Sequence, residues 1–190
     1  MLRQPLIFLD LETTGMLAAE ERITEIGLVE VDKGEFVGSW SQLVNPEKNI
    51  PPFIEALTGI TDAMVERAPT FAQLAPGLFE RLEGKVLVAH NARFDYGFLK
   101  SEFERVGLTY QPQVLCTVKL SRKLFPEQRR HNLDSLIERH GLRCSARHRA
   151  LGDAEVLWHF LRKIQAEVDA ERIDVALKAQ LDAPGLAAAA

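Results

Sequence analysis

The stretch FLDLETTG, from Phe8 to Gly15, decides the fold of this chain. It completes an apolar run that begins at Leu6, a pattern typical of a strand buried on both faces. Side chains along a strand alternate between its two faces, so Asp10 and Glu12 project from the same face. Two like charges at the end of a buried strand are costly unless a positive charge lies between them. The pattern therefore indicates a divalent-cation site, with the alternative that both acids simply face water.

Length and composition indicate one folded domain, alone or with a tail. The chain has 190 residues, of which 46% are hydrophobic, so it can bury a full core. No apolar run approaches the ~20 residues of a membrane span, and residues 1–5 lack a secretory pattern. The two cysteines, Cys116 and Cys144, fit reduced thiols better than a disulfide scaffold or a zinc site. We therefore expect a cytoplasmic protein without a membrane partner.

Charge is distributed unevenly along the chain. The net charge is −4, but residues 119–149 hold nine Lys or Arg against three acidic residues. That segment carries a formal charge of +6, and the rest of the chain carries −10. Such a basic region could attract phosphates. A solvated helical surface explains the same charges equally well, so the sequence leaves the choice open.

The hydrophobic pattern predicts a mixed α/β domain. Two alternating stretches at 23–31 and 35–44 flank a turn at Lys33-Gly34 and predict that the chain opens with an antiparallel meander. Short strands at 86–89 and 114–116 alternate with segments of helical period. The last of these segments runs from about 149 to 166. Beyond 167 the apolar stripe weakens and Pro184-Gly185 follows. We therefore expect a domain at 5–167 and a C-terminal tail or linker, or a frayed end, at 168–190.

Two further acids and one histidine lie where buried or site residues are expected. Asp95 shares a helix side with Phe98 and Leu99, so it occupies a position where an apolar residue would be expected. Asp153 borders the apolar stripe of the last helix. His148 is five residues earlier, and in one regular helix the two would point ~140° apart. We therefore expect His148 in the loop before that helix, from where it can turn towards Asp153.

These residues together suggest phosphodiester chemistry. The candidate ligands Asp10, Glu12, Asp95 and Asp153 are all oxygen donors, which favour Mg²⁺ or Mn²⁺ over zinc. Two such ions about 3.5–4 Å apart are a known apparatus for in-line attack of water on a phosphodiester. A histidine at the rim suits removal of the proton from that water.

Three ordered motifs also resemble a known family. The stretch FLDLETTG, together with Val88–Leu99 (VAHNARFDYGFL) and His148–Leu157 (HRALGDAEVL), resembles the three motifs of the DEDDh exonucleases. The linking stretches LTGITDAMVERAPTF and RHNLDSLIERHGL resemble the family too. Over about residues 5–165, the chain is similar to the proofreading exonucleases of bacterial DNA polymerase III, the epsilon subunit and its relatives. The resemblance implies a ribonuclease H-like fold, a mixed sheet whose first three strands are antiparallel, flanked by helices.

The resemblance also implies a site and an activity. It implies a two-metal 3′→5′ exonuclease that releases nucleoside monophosphates, with His148 as general base. Asp10, Glu12 and Asp153 would hold the ion that activates water, while Asp95 would help to hold a second ion. Several further residues would contact the terminal nucleotide or its base: Thr13, Thr14, His90, Asn91, Met16 and Leu17. One departure is Cys116-Thr117, where many relatives have Asp-Thr; that Asp is not a metal ligand.

The implied partner is a single-stranded or frayed 3′ end of DNA. A polymerase subunit, or a second domain fused through the C-terminal tail, is a further implied partner. Two alternatives remain at this point. One is an exonuclease that trims RNA 3′ ends, because motifs do not reveal how the 2′-OH is sensed. The other is a non-catalytic binding module on the same fold.

Overall fold

The computed structural model describes residues 4–182, which form five strands and eight helices. The strands are β1 (Leu6–Thr13), β2 (Ile23–Asp32), β3 (Glu35–Leu43), β4 (Val86–Ala89) and β5 (Val114–Cys116). The helices are α1 (Pro52–Thr58), α2 (Asp62–Val65), α3 (Phe71–Leu82), α4 (Arg93–Arg105), α5 (Thr117–Leu124), α6 (Leu133–His140), α7 (Ala150–Glu167) and α8 (Ala170–Leu181). Across residues 4–182, no helix has both the length and the apolar character to cross a bilayer.

The strands form one mixed sheet in the order β3-β2-β1-β4-β5. The first three strands pair antiparallel, whereas β4 runs parallel to both β1 and β5. This topology confirms the predicted ribonuclease H-like arrangement. Because β1 and β4 run parallel, their carboxyl ends lie at the same edge of the sheet. The acids of β1 and the residues that follow β4 are thereby placed close together.

Alternation along β1 divides the core into two layers. Leu6 and Phe8 face one side, where they pack with α7 and α8. Ile7, Leu9 and Leu11 face the other side, where they pack with α3 and α4. Asp10 and Glu12 have the same parity as Leu6 and Phe8. The side chains of Asp10 and Glu12 therefore lie on the face of the sheet that α7 covers.

The helix boundaries follow local capping chemistry, as the sequence predicts. Thr70 forms a capping box with Gln73 at the start of α3. Asn132 accepts a hydrogen bond from the N–H of Ser135 at 3.1 Å and opens α6. Gly141 ends α6 with φ 58°, in the left-handed region that favours glycine.

The expected tail at 168–190 is wrong for residues 170–181, which form α8. Asp169 caps this helix, and Ile173, Ala176 and Leu177 are buried in the core with α5 and α7. The side chain of Gln180 also accepts a hydrogen bond from the N–H of Cys116 on the edge strand β5, at 2.9 Å. From the sequence, three apolar residues were too few to indicate a packed helix, because the surface of α5 and α7 that they contact was not known. Residues 183–190, with the alanine-rich end, lie outside the described residues.

We predict that Leu177→Ala destabilises the domain by about 2–5 kcal/mol, because it removes a buried side chain from the contact between α8 and the body. Urea denaturation would measure the free energy of unfolding. Val175→Ala is the matched control, since Val175 is 55% exposed on the same helix and its loss should cost less than about 0.5 kcal/mol. Equal stabilities of the two variants would show that α8 is not docked.

Candidate active site

Three carboxylates converge where β1 meets the start of α7. Oxygen atoms of Asp10, Glu12 and Asp153 all lie within 4.8 Å of one another. Asp10 and Glu12 are half-buried, and Asp153 is buried in the first turn of α7. The spacing suits a shared cation. The strand supplies two ligands because its side chains alternate, and the helix supplies the third because it crosses the same face.

The start of α7 is held against β2 by a glycine. A Cβ atom added to Gly27 would lie 2.2 Å from the carbonyl carbon of Ala150, well inside van der Waals contact. Only glycine permits this approach, because any side chain would collide with the helix backbone. Asp153 lies three residues beyond Ala150, so the contact at Gly27 determines the distance between Asp153 and β1.

A buried glutamate completes this attachment. Glu25, which is 3% exposed, accepts a hydrogen bond from the N–H of Ala150 at 2.9 Å. Its two oxygens also bind the guanidinium of Arg149 at 2.6 and 3.0 Å. Glu25 thus satisfies the helix N-terminus and holds the loop that carries His148. Sequence reasoning missed Glu25, whose only signal was an acidic residue between apolar ones in the first half of β2.

Asp95 approaches from the opposite layer of the molecule. It lies in the first turn of α4, is 2% exposed, and confirms the expectation of a buried acid on that helix. The backbone N–H groups of Asp95 and Leu11 favour its charged form, and its charge acts on Asp10. Asp95 does not share the three-carboxylate cluster. It lies beside it, because α4 packs on the face of β1 away from α7.

The electrostatics of the four acids favour a cation. Burial raises the pKa of Asp10 well above its usual value, and the charges of Asp95, Asp153 and Glu12 raise it further. Burial and the charge of Asp153 raise the pKa of Glu12 to about 7, and burial raises that of Asp95 to about 8. Burial also raises the pKa of Asp153. Repelling oxygen donors of this kind fit a divalent cation such as Mg²⁺ or Mn²⁺.

Arg147 lies within this acidic group, which the sequence did not indicate. Its guanidinium binds Asp153, and its Nε donates to Asp134 of α6 at 2.7 Å. The positive charge lowers the pKa values of Asp10, Glu12 and Asp153, against the effect of burial. Arg147 therefore joins α6 to the carboxylate cluster. From sequence it was only one of nine basic residues in the segment 119–149.

His148 lies in the loop directly before α7, with φ 57°. Its backbone N–H donates to Oδ2 of Asp153 at 3.2 Å, and its side chain is half-buried. This bond fixes the histidine backbone against the cluster. The sequence predicts this loop position, because His148 and Asp153 could not face the same site from one regular helix.

Thr13 and Thr14 are buried, and their hydroxyls bind within the protein. Thr13 donates to the carbonyl of Gly15 at 2.7 Å, and Thr14 donates to the carboxylate of Glu21. These bonds shape the loop at 14–22. That loop presents Met16 and Leu17 to solvent, with exposed fractions of 75% and 60%.

His90 and Asn91 follow β4, at the same edge of the sheet as the carboxylates. The ring of His90 bonds through Nδ1 to the hydroxyl of Thr117 at 2.9 Å. Burial lowers the pKa of His90 to about 4, and the charge of Arg147 adds to that shift. His90 is therefore neutral at pH 7. Asn91 is exposed with φ 60° and turns the chain into α4.

A mixed sheet with clustered carboxylates at the carboxyl end of its central strand defines an α/β nuclease class. The chain belongs to the RNase T family, described as exonuclease, whose model matches residues 7–161. This match confirms the resemblance read from the three motifs.

Relatives and solved structures agree with that family. DNA polymerase III PolC-type of Caldanaerobacter subterraneus subsp. tengcongensis is 39% identical over 163 residues, 84% of this chain and 12% of that protein. The 3′-5′ exonuclease DinG of Bacillus subtilis is 40% identical over 158 residues, 82% of this chain and 17% of that protein. This chain therefore spans less than a fifth of either curated relative.

Among solved structures, exonuclease X in complex with 5′ overhanging duplex DNA has a TM-score of 0.67 at 29% identity. That match covers 90% of this chain and 99% of exonuclease X. Exonuclease I has a TM-score of 0.81 at 18% identity, over 90% of this chain and 43% of that one. The second likeness shows a shared fold.

We predict that Gly27→Ala lowers stability by about 1–3 kcal/mol and weakens Mn²⁺ binding, because the new methyl group pushes the start of α7, with Asp153, away from β1. Thermal unfolding and calorimetric Mn²⁺ titration would measure both effects. Gly38→Ala is the matched control, since no atom lies within 4 Å of a Cβ placed there. Unchanged Mn²⁺ affinity in Gly27→Ala would contradict this role of the glycine.

We also predict that stability in a chelator decreases as pH rises. The pKa of Glu12 is about 7 in the folded protein and 4.5 without perturbation, so ionisation opposes folding as pH passes from 4.5 to 7. One pKa unit corresponds to about 1.4 kcal/mol, so the melting temperature should fall by about 4 °C or more between pH 5 and pH 8. Glu12→Gln should flatten this dependence. A melting temperature that rises over this range would refute the electrostatic account.

Proposed function

We propose that this domain is a metal-dependent 3′→5′ exonuclease that hydrolyses phosphodiester bonds at DNA 3′ ends and releases nucleoside monophosphates. Proofreading or repair in DNA replication is the biological role we infer. The observation that carries the proposal is the cluster of Asp10, Glu12 and Asp153, with oxygens within 4.8 Å and His148 bonded to the same Asp153. Family membership over residues 7–161 supports it.

The four acids would hold the cations. Asp10, Glu12 and Asp153 would bind one ion, and Asp95, on the other side of Asp10, would help to hold a second. Such ions, when bound, lower the pKa of water and stabilise the charge on the leaving oxygen. Mg²⁺ or Mn²⁺ fits the all-oxygen donor set. The raised pKa values of these acids mean that cation binding would release protons, so affinity should increase with pH.

His148 would take the proton from the attacking water. Its backbone N–H binds Oδ2 of Asp153, which holds the His148 backbone beside the cluster. From there the imidazole would reach the attacking water. Glu25 supports the same loop from β2 through Arg149 and Ala150. A general base needs this kind of fixed position as much as a suitable pKa.

The terminal nucleotide would lie between the loop at 14–22 and the end of β4. Met16 and Leu17 are exposed there and would pack against the terminal base. Asn91 is exposed, and neutral His90 would contribute hydrogen bonding rather than charge. The buried hydroxyls of Thr13 and Thr14 would act by shaping the loop, and the backbone around them would contact the nucleotide.

DNA is the proposed substrate because exonuclease X, 29% identical, was solved with 5′ overhanging duplex DNA. A single-stranded or frayed 3′ end would reach the cluster most readily. The curated relatives are more than five times as long as the matched segment. We therefore propose that this domain works beside a polymerase, or beside a second domain fused after α8.

We predict that Asp10→Asn abolishes Mg²⁺-dependent shortening of a 5′-labelled single-stranded DNA, because it removes a ligand shared by both proposed ions. Gel analysis should show a ladder that shortens from the 3′ end with the wild-type protein only. Asp182→Asn is the matched control, an exposed acid at the C-terminal end of α8, and it should retain cleavage. Cleavage by Asp10→Asn at the wild-type rate would show that the proposed site is wrong.

Two further arms of this experiment separate the remaining alternatives. A matched RNA strand degraded faster than DNA would favour an RNA-trimming enzyme instead. His148→Ala should lower kcat by about 10²–10⁴-fold with Mn²⁺ affinity retained. An equal loss of Mn²⁺ affinity would make His148 a structural or cation-ligating residue instead.

A further inference from the structure

The segment between α5 and α6 forms a basic loop, which we define as residues 126–131 (PEQRRH). Its conformation is held by three bonds. Ser121 Oγ lies 2.8 Å from Nδ1 of His131, and Nε2 of His131 lies 3.0 Å from the carbonyl oxygen of Gln128. The guanidinium of Arg139 donates to the carbonyl of Arg130 at 2.5 Å. These bonds hold the backbone of the loop at Gln128 and Arg130 and the ring of His131.

Two independent contacts place the basic loop beside the carboxylate cluster. The backbone of His131 lies close enough to His90 to act on its pKa, and His90 directly follows β4. Asp134, in the first turn after the loop, binds Arg147, whose guanidinium reaches Asp153. The loop thus borders the site on the side of β4 and α6. A strand leaving the carboxylates in that direction would pass over it.

Two arginines of the basic loop remain outside the ion pairs of the protein. Arg129 and Arg130 are both exposed, and across residues 4–182 neither forms an ion pair. The nearby acid Asp134 is already bound to Arg147. Exposed guanidinium groups on an ordered loop are suited to phosphate oxygens, which they bind through charge-assisted hydrogen bonds.

Most of the other arginines near this site have structural partners. Arg147 is bound to Asp134 and Asp153, Arg149 to Glu25, and Arg139 to the backbone of Arg130. Only part of the basic segment at 119–149 is therefore free to attract a ligand beside the cluster. Within the basic loop, Arg129 and Arg130 are the two cationic side chains without such a structural partner among residues 4–182.

We propose that the basic loop binds the phosphates of the nucleic-acid strand on the 5′ side of the bond that is hydrolysed, with Arg129 and Arg130 each contacting one phosphate. This inference rests on the proposed function, since it takes the carboxylate cluster as the place where the 3′-terminal bond is cut. An exonuclease has only one nucleotide beyond that bond. Every further phosphate of the strand lies on the 5′ side, where the loop borders the site.

The test is Arg129→Gln/Arg130→Gln, measured in two ways. Fluorescence anisotropy with a labelled dT12 strand, in an Asp10→Asn background that does not cut it, gives the slope of log affinity against log salt concentration. Loss of two phosphate contacts should reduce the magnitude of that slope by about 1.4, since each contact on a single strand contributes about 0.7. In the catalytically intact protein, the ratio of kcat/KM for dT12 to kcat/KM for thymidine 5′-monophosphate p-nitrophenyl ester should fall about tenfold at 50 mM salt.

The matched control is Lys33→Gln/Arg162→Gln, which removes the same charge at the opposite end of the sheet. Lys33 lies in the β2–β3 turn, and Arg162 is exposed late in α7. This control should have the salt slope and the kcat/KM ratio of the wild-type protein. If Arg129→Gln/Arg130→Gln gives the same slope and the same ratio as the control, the proposal for the loop is wrong. Failure of the wild-type protein to hydrolyse either substrate would instead overturn the proposed function, while the anisotropy slope would still decide whether the loop binds a strand.

Discussion

Repulsion among the carboxylates of Asp10, Glu12 and Asp153 is the interaction on which the rest of the structure depends. Oxygens within 4.8 Å of one another oppose folding once they are ionised. The packing around them must therefore be strong enough to hold them together. The two apolar layers on β1 supply that strength, and Arg147 offsets part of the repulsion. A bound divalent cation would offset the remaining repulsion.

The attachment of α7 to β2 sets the distance between Asp153 and the two acids of β1. Gly27 lets the helix backbone lie directly on the strand, and Glu25 holds the helix start and Arg149. Two residues that are not themselves proposed cation ligands thus position both Asp153 and the loop of His148. Small displacements at functional sites have large effects on rate, so such supporting residues matter as much as the ligands. Asp95, by contrast, is placed by α4 from the other layer.

Helix α8 covers the edge of the sheet formed by β5. β5 has only three residues, and its outer side is covered by α8, whose Gln180 bonds to the backbone of Cys116. Edge strands with free N–H groups promote unwanted pairing, and a covering helix prevents this. Thr117, the first residue of α5, bonds to His90 beside the site. The helix after residue 168 is thus part of the unit that supports the site.

The sequence by itself determined the strand and helix pattern, the shared face of Asp10 and Glu12, the buried position of Asp95 and the loop position of His148. Each of these depends on local periodicity, capping or backbone geometry, which neighbouring residues encode. Only the tertiary structure decided the roles of Glu25, Gly27 and Arg147, and the docking of α8. Those roles depend on contacts between residues far apart in the chain, such as Glu25 with Ala150, and no local pattern records them. The same reason explains why the charge of the basic segment could be counted from sequence but not assigned. Its arginines become distinguishable only when their partners are in place.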